Sequence, residues 1–416
     1  MHNANVSKTH QVFLRSLFIL SVGNVIEYYN LSLFVFSIDI LAKEFFPLED
    51  TLSSYYITFL IYSSTYVFRP IGALIFGHIT DKKGSITSLL YSMLIMSFCT
   101  LLIGLLPPYA KIGIFASVVL FLLRVGQILS MGGEYTNSLI YVVENTPYIN
   151  RRRLSCSIIT ASTIIGWSFG GIVSYICFKP EVEHYWRIPY IIGCIGSIVG
   201  IYFRLKAEKF SKKANLLFTE KKNFINSNGN RYIIGISIGA TIGILFSTYF
   251  VFLNSFIPLV TNITSLQSKG LQIFVSIGYA LSLIVFGYYS KQNNQMSFIK
   301  ISTLLQVVTA IIFYYALYNH SYILLLITEF LALIALALFV VPTTFKLTLI
   351  FNIATRGKTV SFFYGIGAII GGFMPSILTT IYQTYLNLIY LVGFVLLSVV
   401  FSFVSFQGIK KLEQNG

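Results

Sequence analysis

Residues 112–143 read IGIFASVVLFLLRVGQILSMGGEYTNSLIYVV, and Arg124 and Glu134 are the only charged side chains in this run. A helix needs about 20 mostly apolar residues to cross the hydrocarbon core of a bilayer. The chain of 416 residues has the same character throughout, with 56% hydrophobic residues, 10% charged residues and a mean hydropathy of +0.77. This composition predicts an integral membrane protein.

Twelve apolar stretches follow one another along the chain. Each is continuously apolar and longer than the roughly ten residues of a barrel strand, so the sequence predicts an all-α membrane protein with twelve transmembrane helices. The predicted spans are approximately 13–41, 53–77, 88–106, 112–143, 156–178, 188–204, 232–254, 270–289, 297–318, 320–345, 357–382 and 386–406.

The longest polar connection follows the sixth span and divides the chain into two halves, as in many transporters. We predict an N-terminal six-helix bundle at 1–204, a cytoplasmic linker loop at 205–231 and a C-terminal six-helix bundle at 232–416. Three glycines in the fifth span recur in the eleventh, and their spacing allows either a tight helix contact or a flexing point. They are Gly166, Gly170 and Gly171, and Gly367, Gly371 and Gly372.

The distribution of basic residues predicts the orientation. Of the 29 Lys and Arg residues, 22 lie in the even-numbered loops and the two tails, five lie in the opposite loops, and Arg69 and Arg124 lie within spans. Because basic loops stay in the cytoplasm, both termini should be cytoplasmic. The formal net charge of +15 is then explained by topology and anionic lipid, so we expect no nucleic-acid partner.

No sequence pattern indicates an enzyme. The chain has no Gly-x4-Gly-Lys-Ser/Thr loop, no His-Glu-x-x-His pair and no Cys-x-x-Cys pair. The Gly-x-Ser-x-Gly pattern at 166–170 lies inside an apolar span, where a nucleophile elbow cannot form. We therefore expect no catalytic residue, no metal and no cofactor other than a coupling proton.

The loop after the second span carries a tight-turn motif, which comprises Gly77, Asp81, Lys82 and Gly84. It resembles the Gly-x-x-x-Asp-Arg/Lys-x-Gly-Arg loop of the major facilitator superfamily, with Ser85 in place of the final Arg. The resemblance implies that this loop is a cytoplasmic gate, where Asp81 would pair with basic groups or a helix N-terminus. Arg69 is predicted to lie near the same end of the second span, close to the gate.

Four further segments resemble the metabolite:proton symporter family, which includes proline/betaine, 2-oxoglutarate, citrate and shikimate carriers. Tyr28 stands where the family has Trp, and Asn30 stands where it has Asp. The segments are Gly23-Asn24-Val25-Ile26-Glu27-Tyr28-Tyr29, Arg69-Pro70-Ile71-Gly72, Arg124-x-x-Gln127 with Gly132-Gly133-Glu134, and Trp186-Arg187-Ile188-Pro189. The resemblance implies proton-driven uptake of a small carboxylated solute.

Buried charges suggest where coupling occurs. Glu27 and Arg124 each lie about 13 residues into a span, near mid-membrane, and are predicted to face each other. The pair is either a fixed structural ion pair, or Arg124 binds a substrate carboxylate while Glu27 carries the proton. Glu134 is either a second proton carrier or a residue of the cytoplasmic gate. Glu329 is a third candidate, with a proton or substrate role, or else a neutral acid hydrogen-bonded to a hydroxyl. Further substrate-binding candidates are Gln127, Asn24, Tyr28 and Asn30.

Together these features predict a secondary active transporter that works by alternating access in a bacterial cytoplasmic membrane. The expected solute is a zwitterionic osmolyte such as proline or glycine betaine, because the resemblance implies a small carboxylated solute and the few buried charges of the second half favour a single carboxylate. A di- or tricarboxylate:proton symporter is the alternative, as is a non-coupled facilitator or sensor on the same fold. We expect a monomer whose partners are the solute, the proton and the lipid bilayer.

Overall fold

The computed structural model describes residues 2–49, 51–146, 149–178, 185–214, 230–260, 263–385 and 388–414, which form helices and short connections. The α-helices are α1 His2–Phe36, α2 Ile38–Phe45, α3 Thr51–Thr65, α4 Arg69–Lys83, α5 Ser85–Leu105, α6 Tyr109–Ile112, α7 Ile114–Asn145, α8 Ile149–Cys177, α9 Ile188–Ala214, α10 Asn230–Phe246, α11 Leu253–Val260, α12 Ser265–Tyr289, α13 Gln295–Tyr318, α14 Tyr322–Leu349, α15 Arg356–Gly372, α16 Met374–Tyr385 and α17 Leu388–Gln414.

These helices form twelve apolar spans, which confirms the predicted number. The second span is longer than predicted, at Ser53–Lys83, because a 3-10 turn at Tyr66–Phe68 joins α3 to α4. The seventh span, Asn230–Pro258, contains a π-helical segment at Ser247–Phe252, which we call the π segment. Large apolar side chains such as Phe115 and Phe274 are more than 70% exposed, as expected where lipid covers the surface.

Each half of the chain packs as its own bundle. In the N-terminal half α1 packs against α8 and α9, and α5 packs against α7 and α9. In the C-terminal half α10 packs against α15 and α17, and α13 packs against α14 and α17. Of the predicted linker, residues 215–229 lie outside the described residues.

The two halves meet along two main contacts, α8 with α12 and α4 with α15. The repeated glycines lie at equivalent places in this arrangement. A side chain at Gly166 would meet the backbone of Val25 in α1, and one at Gly367 would meet the backbone of Ile236 in α10. Close backbone approach is therefore the packing reason for these glycines, as in other small-residue helix contacts.

The two ends of the bundle differ in charge. We call the end that carries Asp81, Lys82 and Lys83 the basic end, and the opposite end, which carries Asp39, the Asp39 end. The turn between the second and third spans at the basic end is a single residue, Gly84, whose φ of +90° is strained for any side chain. This turn holds α4 and α5 tightly together beside the predicted gate.

Candidate functional site

A three-residue charge cluster, comprising Arg204, Glu27 and Glu134, lies buried inside the N-terminal bundle. Arg204 Nη1 lies 2.8 Å from Glu27 Oε1, and Arg204 Nη2 forms a second ion pair with Glu134 Oε1. All three side chains are at most 3% exposed. Ser92 donates a hydrogen bond to Glu134, and Arg204 donates one to the backbone oxygen of Leu89. Two carboxylates thus share one guanidinium.

The predicted pair between Glu27 and Arg124 is wrong. Glu27 bonds Arg204 instead. The count of basic residues placed Arg204 with the cytoplasmic loops because the predicted sixth span ends at 204, whereas the observed span continues to Lys206. Glycine at position 23 makes room for this arrangement, since a Cβ there would lie 2.6 Å from Arg204 Nε. The spacing of charges within single spans could not reveal this partner, because it lies on another helix, 177 positions away in the sequence.

Arg124 lies in an aromatic environment elsewhere in the N-terminal bundle. Its Nη1 donates to Gln127 Oε1 at 2.9 Å, and its guanidinium lies over the rings of Phe34 and Tyr62 at 4.4 and 5.3 Å. The side chain is fully buried, and its Nε and Nη2 have no hydrogen-bond partner among the described residues. Gln127 donates in turn to Thr100 at 2.9 Å.

Two of the predicted binding residues instead join helices within the N-terminal bundle. Asn24 accepts a hydrogen bond from Ser138 at 3.1 Å, and Asn30 donates to Ser197 at 2.9 Å. Neither belongs to the lining of the central cavity described next. Their contacts connect α1 to α7 and to α9.

A cavity of about 70 Å³ lies between the two halves, and we call it the central cavity. Arg69 is the only charged side chain among its described lining residues. Aromatic rings from both halves surround the cavity, and two threonines and one serine also line it. These lining residues are Tyr28, Tyr66, Tyr135, Tyr279, Tyr364 and Phe246, with Thr160, Thr163 and Ser247.

Arg69 lies at the middle of the second span, not near its cytoplasmic end as predicted. The prediction is wrong because it ended this span at residue 77, whereas the helix continues to Lys83. The Arg69 guanidinium lies 5.9 Å from the Tyr66 ring centre and 5.4 Å from that of Tyr364, and its Nε has no hydrogen-bond partner among the described residues. The positively charged Arg69 side chain, whose Nε–H donor is unpaired within the described part of the chain, therefore lines the central cavity.

The predicted gate loop joins the two halves at the basic end. Asp81 accepts hydrogen bonds from the backbone N–H groups of Gly357 and Lys358, at 2.9 and 3.1 Å, in the first turn of α15. This is the helix N-terminus contact that the motif predicted. Gly77 packs against the backbone of Lys358, and an ion pair of 3.2 Å joins Arg356 to Glu144.

A second cross-half contact closes the Asp39 end. Lys269 of α12 lies 2.7 Å from Asp39 Oδ2, and Ser265 and Tyr55 also donate to this carboxylate. Burial raises the pKa of Asp39, but the Lys269 charge and these hydrogen bonds outweigh it, so the pKa lies below the ordinary 3.8. This contact was not predicted, because Lys269 lies just outside the predicted eighth span at 270–289, whereas α12 begins at Ser265.

Glu329, the third proton-carrier candidate, lies apart from the Arg204 cluster in the C-terminal bundle. It is 1% exposed in α14 and forms no ion pair with any described residue. The side chain of Gln272 in α12 lies beside it. The three candidates therefore divide into a pair that shares Arg204 and a single isolated acid.

The fold and the family are shown by comparison with known proteins. The model of the Major Facilitator Superfamily matches residues 20–375, and the chain belongs to this family. It is therefore a membrane transporter and not an enzyme.

Relatives in sequence include bacterial transporters of small solutes. A protein of Staphylococcus aureus (strain MSSA476), provisionally named a proline/betaine transporter, is 25% identical over 401 residues, which cover 91% of this chain and 86% of that protein. The proline/betaine transporter of Salmonella typhimurium is 35% identical over 194 residues, which cover 45% of this chain and 39% of that protein.

Solved structures of similar fold come from the same family. A double tryptophan mutant of XylE has a TM-score of 0.75 at 13% identity, covering 98% of this chain and 96% of that one. The human organic anion transporter MFSD10 has a TM-score of 0.69 at 14% identity, covering 96% and 99%. At these identities the likeness concerns the fold alone.

Proposed function

We propose that this transporter takes up a small zwitterionic solute, such as proline or glycine betaine, together with a proton. The observation that carries the proposal is the central cavity, in which one arginine faces a group of aromatic rings. The basic end would lie in the cytoplasm, as the positive-inside rule predicts, and both termini with it. The names of the bacterial relatives support a bacterial cytoplasmic membrane as the location.

The lining of the central cavity matches the two ends of a betaine-like solute. Arg69 can bind a carboxylate through its planar set of donors. The rings of Tyr28, Tyr135 and Tyr279, over which Arg69 does not lie, can hold a cationic nitrogen, since a desolvated cation over an aromatic ring gains about 2 kcal/mol. Arg69 would then be a binding residue, in place of Arg124.

A single carboxylate fits this cavity better than two or three do. Arg69 is the only cation among the described lining residues, so a di- or tricarboxylate would bring anionic groups without partners. A solute with a single carboxylate therefore suits the charge of this cavity.

The Arg204 cluster supplies the proton site in this proposal. Two carboxylates and one guanidinium leave one negative charge uncompensated in a buried place, and a bound proton removes it. Glu27 and Glu134 are the two carboxylates that can carry this proton. Because both interact with one Arg204, the proton belongs to the pair and not to either residue.

Tyr28 connects the proton site to the central cavity. It follows Glu27 in α1, lines the cavity and lies within electrostatic range of Glu27, Glu134 and Arg69. A solute carboxylate bound at Arg69 changes the charge next to Tyr28, and a proton on the Glu27–Glu134 pair offsets that change. This proximity is the physical basis for coupling the two ligands.

Alternating access would use the cross-half contacts at the two ends as gates. The Asp81 contact closes the cytoplasmic side, and the Asp39–Lys269 contact closes the outer side. Gly77, Lys82 and Gly84 would serve the cytoplasmic gate by shaping the turn that presents Asp81. Rocking of the two bundles would break one contact while the other forms.

The test is uptake of labelled proline, glycine betaine, 2-oxoglutarate and citrate into proteoliposomes, with and without an inward proton gradient. Gradient-driven accumulation of proline or glycine betaine, and not of the other two, is the expected result. Accumulation of 2-oxoglutarate or citrate would replace the substrate assignment. Binding of a solute without gradient-driven accumulation would favour a facilitator or sensor and overturn coupling.

A further inference from the structure

Glu329 is a buried carboxyl group that the Arg204 cluster does not involve. No charged side chain interacts with it from α7, α8, α10, α12, α13 or α15 within the described residues. The titratable groups within electrostatic range are Tyr249 of the π segment and Tyr322 of its own helix. An ionised carboxylate in such surroundings would be strongly destabilised.

Unsatisfied polar atoms surround this carboxyl group. Glu329 Oε1, Gln272 Nε2 and the Tyr249 hydroxyl are all buried without a hydrogen-bond partner among the described residues. A carboxylic acid and a carboxamide can bond reciprocally, since the acid O–H donates to the amide oxygen and the amide N–H donates to the acid oxygen. Protonated Glu329 can therefore exchange two hydrogen bonds with Gln272, whereas an ionised Glu329 can only accept from the amide N–H.

The same helix face that carries Gln272 also carries Lys269, one turn nearer the Asp39 end. Lys269 is 5% exposed, and two groups of the N-terminal half hold its ammonium. These groups are the Asp39 carboxylate at 2.7 Å and the ring of Phe178, whose centre lies 5.4 Å from Nζ. When the halves separate at this end, Lys269 loses both partners at once.

The C-terminal half contains only one acidic residue that can replace Asp39 as the partner of Lys269. Residues 232–416 contain two acidic residues, Glu329 and Glu413, and Glu413 pairs with Lys346 at the basic end. A buried ammonium without an anion is costly, because its hydration is lost and nothing replaces it. The carboxylate of Glu329 is thus the acid of this half that can take the place of Asp39.

We propose that Glu329 is an external proton-binding site and that Lys269 alternates between Asp39 and ionised Glu329. When the outer side is open, Lys269 pairs with the Glu329 carboxylate. A proton from the external water then binds Glu329, which turns to Gln272 and releases Lys269. The freed ammonium pairs with Asp39 across the halves and closes the outer side. The inference rests on the proposed function, to which it adds a proton-operated outer gate.

Asp39 itself cannot account for a pH response of this gate near neutrality. Its pKa in the closed contact lies below the ordinary 3.8. A carboxyl group with a lowered pKa stabilises the contact fully above its ordinary pKa and loses this effect only as the pH falls through the lowered value. Asp39 is therefore ionised across the physiological range, and a gate response in that range must come from another group.

The test measures the gate without any solute, so that a failure of substrate assignment cannot affect it. Spin labels at L48C and N319C, on opposite halves at the Asp39 end, report the distance between halves in a cysteine-free protein in nanodiscs. Both positions are exposed. The variants are E329Q, which mimics the protonated acid, K269Q, and E413Q as the matched control in the same half.

The wild type and E413Q should shift from a short to a long label distance when the buffer changes from acidic to alkaline. E329Q should stay short in both buffers, and K269Q should stay long in both. A pH response in E329Q equal to that of the wild type would overturn the proposal, and so would a response that disappears in E413Q.

An infrared measurement tests the proton directly. In acidic buffer, where the outer side is closed, the wild type should show the C=O stretching band of a buried carboxylic acid, and E329Q should lose part of that band. The acids of the Arg204 cluster are unchanged in both proteins, so the difference spectrum reports Glu329. A difference spectrum without a carboxylic acid band would overturn the proposal.

Discussion

Arg204 Nη1 lies 2.8 Å from Glu27 Oε1, although 177 residues separate them along the chain. The same guanidinium bonds Glu134, so one cation connects α1, α7 and α9 at the centre of the N-terminal bundle. Arg204 is therefore both a structural connection between helices and the partner that sets the charge of the proposed proton site.

Arg204→Met should be strongly destabilising. Removing one partner of a buried ion pair typically costs about 3–5 kcal/mol, because the remaining charge stays buried without compensation. Arg124→Met is the matched control, since Arg124 is equally buried but pairs with no described carboxylate. Thermal unfolding in detergent should show a large fall in Tm for Arg204→Met alone. An equal fall for both variants would contradict the assigned roles.

Gly23→Ala should disturb the same cluster without changing a charge. The added methyl would lie 2.6 Å from Arg204 Nε, and Arg204 cannot move aside without breaking its two ion pairs. Gly196→Ala is the control, because a methyl there would lie 3.7 Å from Ile26, an ordinary contact. Gradient-driven uptake should fall at least tenfold in the first variant and little in the second. Similar uptake by both would show that position 23 does not constrain Arg204.

Arg69→Lys should weaken solute binding while keeping the charge of the central cavity. Lysine cannot reproduce the paired hydrogen bonds of a guanidinium to a carboxylate, so KM should rise about tenfold, equivalent to about 1.4 kcal/mol. Lys83→Gln, at an exposed position of the basic end, is the control. Initial uptake rates over a range of glycine betaine concentrations measure the change. An unaltered KM in Arg69→Lys would move the carboxylate site elsewhere.

Tyr279→Leu should reduce affinity for a cationic nitrogen more than for an isosteric neutral one. The ring lines the central cavity from the C-terminal half, 5.7 Å from the ring of Phe250. Loss of a cation–π contact of about 0.5–2 kcal/mol predicts a roughly two- to thirtyfold weaker interaction. Competition by glycine betaine and by its neutral carbon analogue measures the difference. Equal weakening of both competitors would exclude an aromatic site for the cation.

Asp81→Asn should loosen the cytoplasmic gate. The carboxylate accepts two backbone N–H groups at the start of α15, and hydrogen bonds to a charged group contribute about 1.5–3 kcal/mol. A cysteine at Ser361, which bonds Thr136 across the halves at this end, should react at least tenfold faster with a water-soluble thiol reagent. Lys83→Gln, which loses an exposed charge beside the same turn and none of these bonds, is the control. Unchanged reactivity in Asp81→Asn would argue against a gate.

Much of the fold follows from local composition. The twelve spans, the halves and the packing role of Gly166 and Gly367 depend on runs of apolar residues and on a short repeat, and both are visible in the sequence. The contact of Asp81 with a helix N-terminus was one of the two that the resemblance of its loop to that of the major facilitator superfamily implied.

The arrangement of buried charges was less predictable. Arg204 and Lys269 lie at span ends, where hydropathy alone cannot distinguish a loop residue from a buried one, and each pairs with a residue far away in sequence. The error in the predicted depth of Arg69 has the same origin. A helix end that is misplaced by six residues changes the estimated depth of a side chain in the membrane by about 9 Å. Charge pairing is set by tertiary contacts, which a span-by-span reading does not contain.

The most direct test of coupling is proton movement caused by the solute itself. Proteoliposomes without any imposed gradient receive glycine betaine outside, and a pH electrode follows the external medium. We predict that the wild type alkalinises the medium as protons enter with the solute, whereas Glu27→Gln shows no pH change but still exchanges labelled glycine betaine. Entry of glycine betaine into wild-type vesicles without any change of external pH would contradict proton coupling.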